Sequence, residues 1–403
     1  MAGKRQAETP GSKRVSPKTA NAITVCHLAD VHLGYRRFYK VNQKGINQRE
    51  LDVCNAFEQS LEKISQAKPD VVLIAGDLFH SVRPSNRIIS FAFRQISNLS
   101  HAIQAPIVII AGNHDTARRS DAGSVLTLLA EIENVFVATT KVEDFQFPEI
   151  NTRVVAVPYT ALPGIEKQNF RADSKYEFNL LVCHAQVNQG WASEFDGAYV
   201  PLQSIAPHEW DYIALGHVHE RKDVAFNASY SGSIECTSSD IWSEALNPKG
   251  VLKIELPAQK RELLEVGNQR TVIDLGELDL RGADAKLCIV RIQEVLEELC
   301  EPLSGAILRL RVQNISPIAL AQLDYSMIRK WRREALHFEL SSKVEQKTDH
   351  DQGSKDKNKA INKQSLFENL NQFCLEQVSS EQVSSDDTAD IEELLKEYWR
   401  QVV

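Results

Sequence analysis

Five short polar motifs hold the side chains best suited to chemistry: Asp30-Val-His32, Gly76-Asp77, Gly112-Asn113-His114-Asp115, His184 and Gly216-His217-Val-His219. Together they mix carboxylate, amide and imidazole donors, a set that suits Mn²⁺, Fe²⁺ or Zn²⁺ better than Mg²⁺ or Ca²⁺. Two divalent cations held close together repel, so a carboxylate shared between them is the economical bridge. Asp77, alone after its apolar run, is expected to be that bridge. Asp30 and His32 lie two residues apart and share a face if the segment is extended; they are expected to hold one ion with His219. Asn113 and His184 are expected to hold the other with His217. A bridged pair of ions acidifies a water, clamps a phosphate and stabilises its leaving oxygen. His114 neighbours a ligand, so its ring is expected near the phosphate, to stabilise the transition state or protonate the leaving oxygen. His80 can touch the same phosphate or support a ligand from behind. Asp115 is expected to orient His114 or a loop rather than bind metal.

Each motif falls where an apolar run ends: Ile23 to Ala29, Val71 to Ala75, Ile107 to Ala111, Leu180 to Cys183 and Tyr212 to Leu215. Short runs rich in Val and Ile, closed by Gly or Asp, suit strands covered on both faces. Polar residues at the carboxyl ends of such strands gather along one edge, where open α/β sheets bind ligands. Taken singly, an aspartate after a strand often caps the next helix, and His27, His101, His208, His337 and His350 are expected to be surface or core residues. Five motifs in order, each after a strand, point instead to one site.

The composition is that of an ordinary folded chain: 403 residues, 43% hydrophobic and 25% charged. No apolar stretch approaches the roughly 20 residues needed to cross a bilayer. The first 21 residues are polar and basic and lack the apolar segment of a secretory signal. Seven scattered cysteines without a C-x-x-C pair argue for reduced thiols and a cytoplasmic setting. The formal charge of −8 gives no support to nucleic-acid binding. However, residues 343–403, with 8 basic and 13 acidic side chains, carry −5 of it, so local patches on the body decide the matter.

Residues 22–260 alternate strands with helical patterns such as Glu50 to Ala67, where Leu51, Cys54, Phe57, Leu61 and Ile64 share a face. From Tyr230 to Leu256, runs such as Val251–Leu256 are expected to be a second set of strands. The fold class is α/β: two sheets packed face to face with helices outside. After a compositional shift over Pro257 to Asp279, residues 275–342 read as a small α+β unit with helices near 284–300 and 319–334 and strands at Ile307–Val312 and Leu336–Ser341. Residues 1–21 read as a disordered basic tail and 343–364 as a flexible linker. Within 365–403, Leu366, Phe367, Leu370, Phe373 and Cys374 form one amphipathic stripe, and Ile391, Leu394, Leu395, Tyr398 and Trp399 another. Helices this short must pack on something, this chain's own body or a partner's helix.

His27-Leu-Ala-Asp-Val-His-Leu-Gly-Tyr35, Ala75-Gly-Asp-Leu-Phe-His80, Gly112-Asn-His-Asp115 and Gly216-His-Val-His-Glu220 resemble the motifs of calcineurin-like metallophosphoesterases, and more closely those of the SbcD family of nuclease subunits. The resemblance covers about residues 22–256; beyond them it is one of layout. It implies a two-sheet sandwich flanked by helices, with a capping domain and C-terminal helices that grip an SbcC-like SMC-type ATPase. It also implies Mn²⁺-dependent DNA cleavage in double-strand break repair, 3′–5′ exonucleolytic and endonucleolytic on single strands, by a homodimer acting near the nucleoid. In that family the equivalents of His114 assist catalysis and those of His80 help place the phosphate. Protein Ser/Thr phosphatases typically carry Gly-Asn-His-Glu and Gly-Asp-x-Val-Asp-Arg-Gly, which Asp115 and Leu78-Phe79-His80 do not match. A phosphodiesterase or phosphatase acting on small molecules is the alternative within the superfamily.

The candidates for DNA phosphate contacts are Arg36, Arg37, Lys40, Arg83, Arg87, Arg118 and Arg119, because they follow metal motifs and are expected to flank the cleft. Phe38 and Tyr39 are expected to stack on an unpaired base. As a group, these residues fit non-specific backbone binding that weakens steeply with salt.

Overall fold

The computed structural model describes residues 22–116, 123–168, 170–187, 199–267, 270–299 and 302–344. Along the chain its elements are β1 (Ile23–Leu28), α1 (Gln48–Ala67), β2 (Val71–Ile74), α2 (Asn86–Ile103), β3 (Ile107–Ile110), β4 (Val135–Ala138), β5 (Glu143–Phe147) and β6 (Thr152–Val157). Then follow β7 (Phe178–His184), β8 (Gln186–Val187), β9 (Tyr199–Val200), β10 (Tyr212–Gly216), β11 (Lys222–Ala225), β12 (Ala228–Tyr230), α3 (Ile241–Glu244), β13 (Gly250–Leu256) and β14 (Lys260–Glu265). The last described elements are β15 (Val272–Asp279), α4 (Ala285–Glu297), β16 (Ile307–Ile315), α5 (Pro317–Ala321), α6 (Tyr325–Glu334) and β17 (His337–Val344).

One sheet runs β14-β13-β1-β2-β3-β4, parallel from β1 to β4 and antiparallel at β13 and β14. The other runs β11-β12-β10-β7-β6-β5 with a parallel centre. The period of two along each strand explains the unbroken apolar runs. Val25, Leu73 and Val108 face Leu180, Val182 and Ala214 across the sandwich. Cys26, Leu28, Val72, Ile74 and Ile109 face Phe57, Leu61 and Ile64 of α1 and Ile88 and Ile96 of α2. Leu181, Cys183, Ile213 and Leu215 pack on the opposite side against Leu202 and Trp210. Asn47 caps α1 by accepting from the N–H groups of Arg49 and Glu50, and Lys68 ends it in a left-handed conformation before Pro69.

Three sequence expectations change here. Val251–Leu256 does not open a second sheet. It lies antiparallel to β1, with Ile23 opposite Leu256 and His27 opposite Leu252, while the second sheet is built from residues 143–230. The shift over Pro257–Asp279 contains two strands, β14 and β15. The helix expected over 319–334 is two helices, because Asp324 accepts from the Ser326 N–H and starts α6 afresh. Strands β15, β16 and β17 form a parallel three-stranded sheet over Cys288, Ile292, Leu308, Leu310, Ile328 and Trp331. The basic tail, most of the linker and both C-terminal amphipathic stripes lie outside the described residues.

Candidate metal centre

All five motifs meet where β1, β2 and β3 of one sheet and β7 and β10 of the other run out. The backbone there is unusual: Asp30 (φ 52°), His32 (φ 55°), Asp77 (φ 52°) and His217 (φ 93°) are all left-handed without being glycine. Non-glycine residues pay conformational energy for such angles, which cluster where a site needs them. Asp30 and His32 therefore do not share a face of an extended segment, as the sequence suggested; two left-handed residues turn them together. The turn is held by neighbouring backbone, Asp30 N–H donating to Gly76 O (3.1 Å) and His32 N–H to Asp77 O (2.9 Å). A Cβ on Gly112 would collide with Asp77, and one on Gly216 with the Ala75 carbonyl and His184, so these approaches require glycine.

The donors converge in two groups. His32 Nε2 lies 3.1 Å from His219 Nε2, and both lie with Asp30. Asp77 Oδ2 lies 3.5 Å from His184 Nε2 and 3.8 Å from His32 Nε2, between the groups. Asn113 Oδ1 lies 3.0 Å from His184 Nε2 and 3.2 Å from His217 Nδ1. Asp30 reaches both groups, since it also clusters with Asp77 and His184, and its two oxygens each lie 3.1 Å from the His217 N–H.

This donor set fits divalent metal. His184 Nδ1 donates to the Ala75 carbonyl (2.8 Å), which turns the lone pair of Nε2 toward Asp77 and Asn113. His219 Nδ1 faces Glu244 Oε1 at 3.1 Å, which does the same for its Nε2. Acceptors packed this closely repel unless a proton or a cation lies among them. Charges are tuned accordingly. Burial raises the cost of ionising Asp77, yet His184 and His32 hold its carboxyl well below the usual range. Burial opposes charge on His184, but Asp77 overcomes it and pushes the imidazole up to about 9. Burial, reinforced by the charges of His219 and its neighbours against the pull of Asp77, holds His32 well below its ordinary value, as a neutral donor.

His80 and His114 stand at the rim, half-buried and stacked with ring centroids 5.2 Å apart. His114 Nδ1 lies 2.8 Å from the His80 carbonyl, and His80 Nδ1 lies 3.4 Å from His32 Nδ1. Asp115 does not touch His114's ring. It accepts from Leu78, Phe79 and Gly112 N–H (3.1, 2.9 and 3.1 Å) and so ties the second and third motif loops together. Burial, with the charge of Asp77, lifts its carboxyl to about 7. Sequence reasoning missed Glu244 and Lys249 behind His219. A lone Glu after Ile-Trp-Ser offers no periodic or spacing signal, and burial reveals it only once Ile241 and Trp242 are anchored.

The cations expected at DNA phosphates need correction. Arg36 and Arg87 both pair with the buried Glu50. Arg37 donates to the Ser238 and Ser239 carbonyls (3.2 and 3.3 Å). Lys40 donates to the carbonyls of Arg333 (2.6 Å), Glu334 (3.4 Å) and Ala335 at the end of α6. Each charge thus already has a partner within the fold. Arg83 is exposed; Arg118 and Arg119 lie outside the described residues. Phe38, expected to stack on a base, stacks on His337 (4.0 Å between centroids), whereas Tyr39 is fully exposed.

Residues 23–221 match the calcineurin-like phosphoesterase family, so the chain carries a calcineurin-like metallophosphoesterase domain. Its homologues include the DNA double-strand break repair protein Mre11 of Methanocaldococcus jannaschii, 30% identical over 225 residues (52% of this chain, 56% of that protein). The SbcD component of the SbcCD nuclease of Staphylococcus epidermidis is 28% identical over 258 residues (58% of this chain, 66% of that protein). The chain thus spans about half to two thirds of the length of the curated relatives it matches. Among the described residues, no helix is long and apolar enough to cross a membrane.

Proposed function

We propose that this chain is a Mn²⁺-dependent DNA nuclease subunit that hydrolyses phosphodiester bonds during double-strand break repair. In this reading Asp30, His32, Asp77, Asn113, His184, His217 and His219 hold two divalent ions, with Asp77 between them. The observation that carries it is the convergence of these donors from two sheets onto one edge, with His184 and His219 each oriented from behind so that Nε2 faces the others. A pair of divalent ions in that donor set would polarise an attacking water and screen the charge on a phosphate. The protein's own groups do the rest. His114, with Nδ1 committed to the His80 carbonyl, keeps Nε2 to hold or deliver a proton at the leaving oxygen. His80 packs against His114 and places the phosphate. Arg83, Arg118, Arg119 and the exposed Tyr39 are the groups left to contact DNA.

The finer reading comprises 3′–5′ exonuclease and single-strand endonuclease activity, a homodimer, and an SMC-type ATPase partner in the cytoplasm near the nucleoid. Relatives named as a double-strand break repair protein and as one component of the SbcCD nuclease support it. The proposed organisation is a nuclease domain over 22–260, a capping unit over 275–342, and a helical partner-binding segment over 365–403 reached by the linker at 343–364. The purified protein with Mn²⁺, offered end-labelled DNA and an aryl phosphodiester, tests the reading. Cleavage of both is expected. Turnover of the ester with DNA left intact would turn the assignment to a small-molecule phosphodiesterase.

A further inference from the structure

Behind the candidate metal centre lies a charged pair that none of the proposed steps uses. The side chains of Glu244 and Lys249 are 3% and 1% exposed, and Lys249 Nζ lies 2.8 Å from Glu244 Oε1. Burying two charges costs as much as their attraction returns, so such a pair is poorly explained by stability alone. Its contacts give another reason. Glu244 Oε1 lies 3.1 Å from His219 Nδ1 and accepts from Ser233 Oγ (2.6 Å), while Oε2 accepts the Ser238 N–H (2.8 Å). Lys249 Nζ donates to Ser233 Oγ (2.7 Å) and reaches the His219 carbonyl (3.4 Å), which also accepts the Ser233 N–H (3.1 Å). His219 is therefore gripped at ring and backbone by one network. Only Thr237 Oγ1, at 3.4 Å, also approaches its Nδ1 among the hydrogen-bonding groups described. The contrast is with His184, whose Nδ1 is oriented by a neutral carbonyl. A carboxylate behind an imidazole fixes its tautomer and strengthens its other nitrogen as a donor.

We propose that Glu244 and Lys249 are positioning residues: Glu244 holds His219 as its Nδ1–H tautomer with Nε2 turned toward Asp30 and His32, and Lys249 holds Glu244 in place. Together they set how tightly that half of the centre grips its ion. The inference rests on the metal-centre reading above and goes beyond it, to residues outside the donor set.

The test uses the full chain, freed of metal and titrated with Mn²⁺ by calorimetry, alongside nitrogen-15 NMR of the imidazoles in the metal-free protein. Glu244→Ala is expected to weaken one class of Mn²⁺ site by about 10- to 100-fold and leave the other unchanged. Glu244→Gln, which keeps the acceptor oxygen, is expected to restore part of that loss. Lys249→Met is expected to fall between the two. In the NMR spectrum, His219 is expected to be the Nδ1–H tautomer in wild type and a mixture in Glu244→Ala. Unchanged Mn²⁺ affinity in both Glu244→Ala and Lys249→Met, or an unchanged His219 tautomer, would overturn the proposal. Should Glu244→Ala fail to fold, Glu244→Gln and Lys249→Met decide on the same criteria. Wild-type protein that takes up no Mn²⁺ would instead overturn the metal-centre reading, while the tautomer comparison would still report on the positioning.

Discussion

The motif Asp30–His32 and the loop Arg36–Gln48 leave the same strand, and both are dense in polar and charged side chains, yet the fold uses them oppositely. In the first, donors from five chain segments are turned toward one another with left-handed backbone at Asp30 and His32. In the second, each cation is spent on an acceptor of the fold: Arg36 on Glu50, Arg37 on the Ser238 and Ser239 carbonyls, and Lys40 on the carbonyl end of α6, where positive charge is favourable. Phe38 adds a ring face against His337. The loop therefore ties the three-stranded unit to the sandwich. Charge left without a countercharge marks a binding site; charge already matched marks architecture.

Variants can break this contrast. Asp77→Ala, which removes the group between the two donor clusters, should lower DNA cleavage by on the order of 1,000-fold and reduce retained metal, read by labelled-DNA assay and elemental analysis. An active, metal-loaded variant would remove Asp77 from the centre. His114→Gln should cost about 100-fold or more in cleavage while metal content stays at the wild-type level, because its ring is at the rim and not among the closest donors.

His27 supplies a histidine of the other kind. It lies between the sheets, 2.9 Å from the Tyr212 hydroxyl, and burial pushes it down to about 3. The unfolded chain takes up this proton near 6.5 and the folded protein does not until about 3. Its neutrality therefore supports the fold fully above pH 6.5, and stability should fall by about 1.4 kcal/mol per pH unit as acid is added below it. Urea denaturation of His27→Leu across that range should show a shallower loss; parallel curves would refute the assignment.

Smaller effects should separate the loop from DNA binding. Lys40→Met should lower stability by about 1 kcal/mol in thermal melts, through lost interaction with the end of α6, with little change in the salt dependence of DNA affinity. Arg83→Ala should do the reverse, leaving stability alone and reducing the salt slope by about one ion. If Lys40→Met moves the salt slope and Arg83→Ala does not, the division between architecture and binding is inverted.

Legibility in the sequence followed burial. β1, β2, β3, β7 and β10 could be read because strands covered on both faces are apolar at every position. β14, Lys-Arg-Glu-Leu-Leu-Glu, and β15, interrupted by Gly276 at φ 79°, lie at sheet edges and are partly exposed, so neither presents such a run. The donor types could be read because each closes a strand. The left-handed turns that orient Asp30 and His32, the Asp115 clamp and the Glu244–Lys249 pair could not, because each depends on groups far away in the chain.

The order of residues alone therefore determined which segments become central strands and which chemical groups sit at their ends, since both follow from local hydrophobicity and from the identity of the next side chain. Only the tertiary structure decided which charges are matched and which remain available. That depends on electrostatic and hydrogen-bond contacts a few ångströms long between residues as distant as Lys40 and Ala335, His219 and Glu244, or Asp30 and His217, and no local pattern in the chain encodes those meetings.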